Sequence, residues 1–251
     1  PEVYILVLPA MGIVSEVLPV FSRKPIFGYI AIAWSSVAIG FLSFSVWAHH
    51  MFAVGLPLVA QAFFAASSML IAVPTGVKIF NWIATLWGGT VVIKTPLLFA
   101  VGFIGLFIIG GISGIMQAVV PIDWQVTDSM FIPGHLHYVL FGGSVFGVFA
   151  GLYYWFPKMT GRLLDDRLGK LHFLLLFAGI NLTYFPMHLL GLLGMPRRVY
   201  TFSAGMGWDA LNLISTVGAY TLALSIVAFL WNFVVSVRRG ERAGGDPWDA
   251  W

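Results

Sequence analysis

The stretch Pro133-Gly134-His135-Leu136-His137-Tyr138 opens a long apolar run that continues to about Phe156. An α-helix turns about 100° per residue, so two histidines two apart point about 200° from each other and cannot chelate one ion from regular helix. They must serve two different partners. An ionisable side chain at the centre of a lipid-buried helix costs about 2.5–3.5 kcal/mol on insertion scales, which makes it a functional hypothesis by default. Two on opposite faces of one helix suggest a helix wedged between two cofactors. Haem iron suits that arrangement, because one imidazole supplies an axial bond and the plate-like macrocycle fills one side of a helix. A pair of interfacial histidines near a helix start is the alternative that stays open on these residues alone.

A second histidine pair lies in Trp47-Ala48-His49-His50-Met51-Phe52. Adjacent residues are only about 100° apart on a helix, so at a slightly unwound helix end both rings reach one metal. Imidazoles without thiolates suit copper or zinc, and on these residues alone a structural pair at the membrane interface stays open. Glu2 and Tyr4 follow Pro1, and a glutamate inside an apolar helix is suited to carrying protons rather than a permanent charge. Gln61, Ser68, Thr75 and Lys78 recur at spacings of seven, seven and three, forming a polar stripe on one helix. Such a stripe of hydroxyls ending in lysine reads as a water-lined proton path, or as helix–helix hydrogen bonding with Lys78 snorkelling to the interface. Asn181, Tyr184 and His188 share a face interrupted by Pro186 and read as glue between helices. His172, beside Lys170, reads as interfacial.

The elements that must position these residues are membrane spans. The chain has 251 residues, 59% hydrophobic and 9% charged, with a mean hydropathy of +0.93. Soluble domains carry about a quarter charged residues. The absence of cysteine excludes disulfides and thiolate-bound clusters or copper, so a metal must be held by histidine, carboxylate or a macrocycle. The net charge of +3 sits in short loops rather than along one face, which argues against nucleic acid. Seven apolar segments, near 1–20, 28–48, 53–77, 95–119, 133–156, 171–194 and 211–236, are long enough to cross a bilayer. Only helices or closed barrels do so, and alternating strands are absent, which predicts an all-α bundle, a single transmembrane domain over 1–251. No signal peptide precedes the first run, and the chain reads as a piece of something longer. With seven alternating spans Arg23, Lys24, Lys94, Lys158, Arg162, Arg167, Lys170, Arg238, Arg239 and Arg242 fall on one side, the cytoplasmic one. Arg197 and Arg198 break that bias on the outer side, where their partners are expected to be anions such as ligand carboxylates, the alternative being an ordinary solvated loop pair.

These motifs, with Pro1-Glu2-Val3-Tyr4, Arg23-Lys24-Pro25-Ile26-Phe27-Gly28-Tyr29, Pro74-Thr75-Gly76-Val77-Lys78 and Gly194-Met195-Pro196-Arg197-Arg198, resemble subunit I of the haem–copper terminal oxidases, the cytochrome c oxidase type. The match runs in order over nearly the whole chain, and resembles the sixth to twelfth spans of a twelve-span subunit. The resemblance implies that His135 is the axial ligand of a high-spin, oxygen-binding haem and His137 an axial ligand of a low-spin haem. It implies that His49 and His50 are two of three copper ligands, the third histidine preceding Pro1. Tyr4 would donate a proton and an electron to oxygen, cross-linked to that third histidine. Glu2 would end one proton channel, and Lys78, Thr75 and Ser15 would belong to another leading toward Tyr4. Arg197 and Arg198 would pair with haem propionates. Asp128 would be a retained magnesium ligand, although Thr127 stands where the family usually has histidine, which puts magnesium in doubt. The tail Asp246-Pro247-Trp248-Asp249-Ala250-Trp251 resembles a family ending that normally runs further.

The implied activity is reduction of O2 to water with proton uptake and pumping, in a bacterial plasma membrane. Implied partners are a subunit II-like electron-entrance subunit, subunit III, and cytochrome c or quinol as donor. The rivals are a nitric-oxide reductase of the same superfamily, against which Tyr4 and Lys78 weigh, and a seven-helix transporter or receptor, which leaves His135, His137 and the outer arginines unexplained.

Overall fold

A computed structural model describes residues 1–250; Trp251, the last residue of the tail motif, lies outside the described residues. The chain is helical throughout, and the helices group into seven membrane-length spans, as the hydropathy predicts. They are α1 (Glu2–Ser22); α2 (Tyr29–Leu42) with the 3₁₀ segment Trp47–Val54; α3 (Leu58–Leu70) with α4 (Ala72–Leu86); α5 (Thr95–Ala118); α7 (Phe131–Val139) with α8 (Phe146–Thr160); α9 (Asp166–Leu192); and α10 (Asp209–Arg239). A short helix, α6 (Val120–Val126), lies between the fourth and fifth spans.

Two spans differ from their expected limits in ways that matter. The third runs to Leu86, not residue 77, which carries Lys78 from the end of the span into its interior. Its interruption at Ile71 follows from Pro74, which has no N–H for the carbonyl of Leu70 and whose ring crowds it. The helical phase survives, because Ile71 keeps φ −65° and ψ −19°. The sixth span starts at Asp166 rather than 171, so His172 is more than a turn inside it. It is not interfacial: it is fully buried, its Nδ1 lies 3.2 Å from the Tyr153 hydroxyl, and its ring packs between Phe99 and Phe149.

One end of the bundle gathers the basic loops. The Lys24 ammonium donates to the carbonyls of Ala84 and Trp87 at 2.8 and 2.7 Å, capping the end of α4, where the helix dipole is negative. Asp166 accepts from the Thr95 backbone N–H at 2.9 Å and from Lys170 at 2.9 Å, tying the starts of α5 and α9. Arg162 donates to Gly240 O at 2.6 Å, bringing the end of α10 to the same side. Near the middle of the bilayer, where burial of apolar surface drives no association between helices, close packing at small residues does that work. Gly147 of α8 meets Ala10 of α1, and Gly142 meets Leu106 of α5. The turn between α7 and α8, Leu140–Val145, is π-helical and carries the Gly142-Gly143 pair.

A methyl group at Gly147 would stand 2.6 Å from Ala10 Cβ and 3.0 Å from its Cα, whereas one at Gly105 would meet nothing within 4 Å. Gly147→Ala should therefore cost about 1–3 kcal/mol by overpacking α1 against α8. Gly105→Ala should be neutral or slightly stabilising. Thermal unfolding midpoints of the two variants in detergent check the contrast; equal midpoints would dismiss it.

Candidate functional site

A cavity of about 540 Å³ lies between α1, the 3₁₀ segment, α3–α4, α5 and α7, within the ~300–1,000 Å³ range of small-molecule and cofactor sites. Tyr4, His49, His50, Thr75 and His135 all line it. Residues far apart in sequence, singled out for different reasons, thus face one space.

The histidines in it are held in a way that suits metal binding. His135 Nδ1 lies 3.0 Å from Gly110 O and 3.0 Å from Ser113 Oγ. A carbonyl only accepts, so Nδ1 carries the hydrogen and Nε2 keeps its lone pair. His49 Nδ1 lies 2.9 Å from Ser68 Oγ, and that hydroxyl donates to Phe64 O at 2.6 Å. With its hydrogen committed, the oxygen accepts from His49, leaving Nε2 of His49 bare. Metal-bound imidazoles typically donate their other N–H to just such a backbone or hydroxyl acceptor, which fixes the tautomer. His49 and His50 sit on the 3₁₀ segment with ring centroids 4.4 Å apart, as an unwound helix end permits. Trp124 of α6 donates to Phe52 O at 3.1 Å and fastens that segment. Among the described residues no cluster of three or more His, Asp or Glu forms, so copper would need a ligand beyond His49 and His50.

His137 does not line this cavity. Its Nδ1 meets Pro133 O at 2.7 Å and its ring stacks on Tyr184 of α9, centroids 4.0 Å apart. The two histidines of α7 therefore face different neighbours, α5 for His135 and α9 for His137. The whole polar face of α9 turns to α7: Asn181 accepts from the Tyr138 hydroxyl at 2.8 Å, and His188 packs against Gly134.

Both donor sets fit the haem and copper that the motifs imply. The fit rests on the bare Nε2 atoms and on a glycine-cut cavity. A Cβ at Gly114 would stand 2.9 Å from His135 Cε1, while Cβ atoms at Gly76 or Gly111 would project into empty space.

The polar stripe is only partly assembled on the cavity. Ser68 and Thr75 line it; Gln61 instead donates to Leu56 O at 2.8 Å. Lys78 cannot snorkel. It is 1% exposed, forms no ion pair among the described residues, and holds its ammonium 5.6 Å from the centre of the Trp82 ring. The Trp82 indole N–H donates to Ser15 Oγ at 3.0 Å, and Ser15 donates to Met11 O at 2.9 Å. Ser15, at the N–H edge, and Lys78, over the ring face, thus meet at one indole. Glu2 is exposed on the first turn of α1, so the burial expected for it is not supplied by the described residues.

The outer arginines separate. Arg197 donates to Asp128 Oδ1 from Nε at 2.9 Å and from Nη2 at 2.5 Å, and its backbone N–H donates to Asp128 O at 2.9 Å. Among the described residues the anion opposite Arg197 is the carboxylate of Asp128. Asp128 reaches it through a left-handed backbone (φ +58°), which aspartate tolerates. Asp128 belongs to no cluster of three or more His, Asp or Glu among the described residues. Arg198, also left-handed, is exposed.

Sequence reasoning passed over Ser113, Trp82 and Gln117. The Gly110-Gly111-Ile112-Ser113-Gly114 spacing inside a span is a close-approach signature that could have pointed to the α5–α7 contact. Nothing in the sequence marks Trp82 as the link between Ser15 and Lys78.

Residues 1–221 match the family model described as cytochrome c and quinol oxidase polypeptide I. Cytochrome c oxidase subunit 1 of Synechocystis is 55% identical over 250 residues, covering 100% of this chain and 45% of that protein. The Bacillus subtilis protein of the same name is 52% identical over 248 residues, covering 99% of this chain and 40% of its own length. The chain thus spans less than half of these relatives. A cryo-EM structure of a heme-copper terminal oxidase dimer superposes with a TM-score of 0.84 over 96% of this chain and 48% of that one, at 20% identity, a likeness of fold.

Outside the spans, α6 carries a buried carboxyl, Asp123, held up to about 6 by burial first and by the negative charge of Asp128 second. Between about 4 and 6 the folded chain binds this proton and the unfolded chain releases it, so the contribution of Asp123 to stability falls as pH rises through that window and is level above it. Asp123→Asn should gain on the parent protein in thermal midpoint as detergent solutions go from pH 4 to pH 6. A difference that stays constant or shrinks would contradict the assignment.

Proposed function

We propose, from the premise that the chain belongs to the cytochrome c and quinol oxidase polypeptide I family, that it forms part of the catalytic subunit of a respiratory terminal oxidase that reduces O2 to water. The observation that carries this reading is the divergence of His135 and His137 on α7. Each has a backbone-bonded Nδ1, and His135 shares a cavity with His49, His50 and Tyr4.

In this reading His135 would hold a high-spin haem, His137 a low-spin haem, and His49 and His50 copper. Bound there, the metals supply the oxygen binding and one-electron chemistry that no side chain here performs. The chain's own residues set position and move protons. Gly110 O and Ser113 hold the His135 ring in one tautomer and orientation, and Ser68 does the same for His49. The Tyr4 hydroxyl, at the cavity wall, is the proton donor to the reacting oxygen. Protons reach it from the cytoplasmic side by way of Ser15, Lys78 and Thr75, of which Thr75 shares the cavity with Tyr4. Glu2 serves a second route, with its surroundings completed by the remainder of the longer polypeptide. Arg198 faces the haem propionates, while Arg197 acts through its pairing with Asp128. Magnesium at Asp128 is left out of the reading. The electron donor would be cytochrome c or quinol, with a subunit II-like and a subunit III-like partner, and pumping would accompany turnover.

Two measurements on the full-length oxidase test it. Lys78→Met should leave the haem spectrum in place and slow reduction of the high-spin haem by roughly 10²-fold, the lower end of what a positioned proton donor contributes; unchanged turnover removes Lys78 from the path. Glu2→Gln should bind O2 normally and then stall in proton uptake, followed with a pH-sensitive dye. A full-length protein without any haem spectrum would end the reading altogether.

A further inference from the structure

Gln117 stands on the last turn of α5, three residues beyond the Gly114 that touches the His135 ring. It lines the cavity, is only 6% exposed, and its side-chain Nε2 is buried with no hydrogen-bond partner. A buried N–H left without an acceptor costs about 1–3 kcal/mol, and folded interiors leave few of them. Its neighbours on the cavity side of the same helix, Gly111, Gly114, Ile115 and Ala118, carry no polar side-chain atom. A glutamine at this depth is also the wrong residue for mere filling, since leucine or methionine has similar bulk without a polar end.

We propose that Gln117 is a hydrogen-bond donor to the occupant of this cavity, and that its carboxamide meets an oxygen acceptor, carbonyl or carboxylate, on the rim of the macrocycle whose iron His135 holds. The inference rests on the reading given under Proposed function. The rim is favoured over the reacting face because Gln117 stands on the helix that flanks the His135 ring, not across the cavity from it. The two ends of a carboxamide are alike in outline, so a half-turn about its last bond presents N–H or C=O to the cavity at no cost in packing. The glycines of the same helix have a matching part: Gly111 leaves open space where a side chain would keep a flat group away from the amide. The donor would fix the in-plane rotation of the plate, which a single axial bond leaves free.

The test is resonance Raman spectroscopy of the full-length holoenzyme in H2O and D2O, comparing the parent with Gln117→Met. The parent should show a peripheral C=O or carboxylate band that shifts in D2O. In Gln117→Met that band should move to higher frequency and lose its D2O sensitivity, with haem content and the iron–histidine band unchanged. Identical peripheral bands in parent and variant would overturn the proposal and leave a water molecule as the partner of Gln117. Should Gln117→Met fail to assemble, Gln117→Asn keeps the amide but withdraws it by one methylene. It should give the same shift in part, and an unmoved band there also overturns the proposal. Absence of a haem spectrum in the parent would instead defeat the functional reading, so the two failures are told apart.

Discussion

The hydrogen bond from His135 Nδ1 to Gly110 O, 3.0 Å long, is the constraint on which the site depends. An imidazole inside a lipid-buried bundle has two nitrogens to account for, and a bare buried one is costly. Satisfying Nδ1 with a helix carbonyl leaves Nε2 as the one free lone pair of a ring that lines the cavity. That carbonyl is reachable only because α5 and α7 approach closely, and the approach is set by glycine. A Cβ at Gly110 would lie 2.9 Å from Val139 Cγ2, and one at Gly114 would lie 2.9 Å from the imidazole. Packing of two helices and the chemistry of one ring are therefore the same fact.

The pattern repeats at the other histidines with different means. Pro133 O, one turn before His137 on the same helix, takes its Nδ1 hydrogen. His49 uses Ser68 as an intermediary to Phe64 O. In each case the acceptor belongs to helix backbone, where a carbonyl already holding its i+4 partner has a second lone pair available. Such an acceptor does not titrate and adds no charge to a low-dielectric interior, where an unpaired carboxylate would carry a heavy desolvation cost. Among the described residues the carboxylate–guanidinium pair near the site, Asp128 with Arg197, lies at the exposed outer rim, where such a cost is small.

Much of this was legible in the residues. Seven spans, the sidedness of the basic loops, the opposed faces of His135 and His137, and the unwound end at His49 and His50 all follow from periodicity, charge and a 100° turn per residue. What was not legible depends on contacts between spans. Pro74 was visible, but that the helix would resume in phase after Ile71 and carry Lys78 inward was not; hydropathy alone ended that span early. His172 beside Lys170 looked interfacial because the preceding turn, Asp166–Lys170, is polar, yet that turn is bound to Thr95 and helical. The anion for Arg197 was expected from a ligand because the arginine pair breaks the charge bias of the outer side; that Asp128 also reaches it, across 69 residues of chain and through a left-handed turn, was not legible.

Lys78 follows from the same rule of burial. A cation with no carboxylate opposite it must either reach water or find a substitute, and the extension of α4 to Leu86 closes the first course. The face of Trp82 is the substitute, attractive to a cation by about 0.5–2 kcal/mol and more effective when water is absent. Because the same indole spends its N–H on Ser15, the ring is locked in place beneath the ammonium. A salt bridge would hold the charge firmly; a ring face holds it weakly and takes up none of its three N–H groups in a hydrogen bond. For a residue asked to pass protons, a partner that attracts without capturing is the useful one, and the sequence spacing of Lys78 and Trp82, one turn apart on α4, provides it.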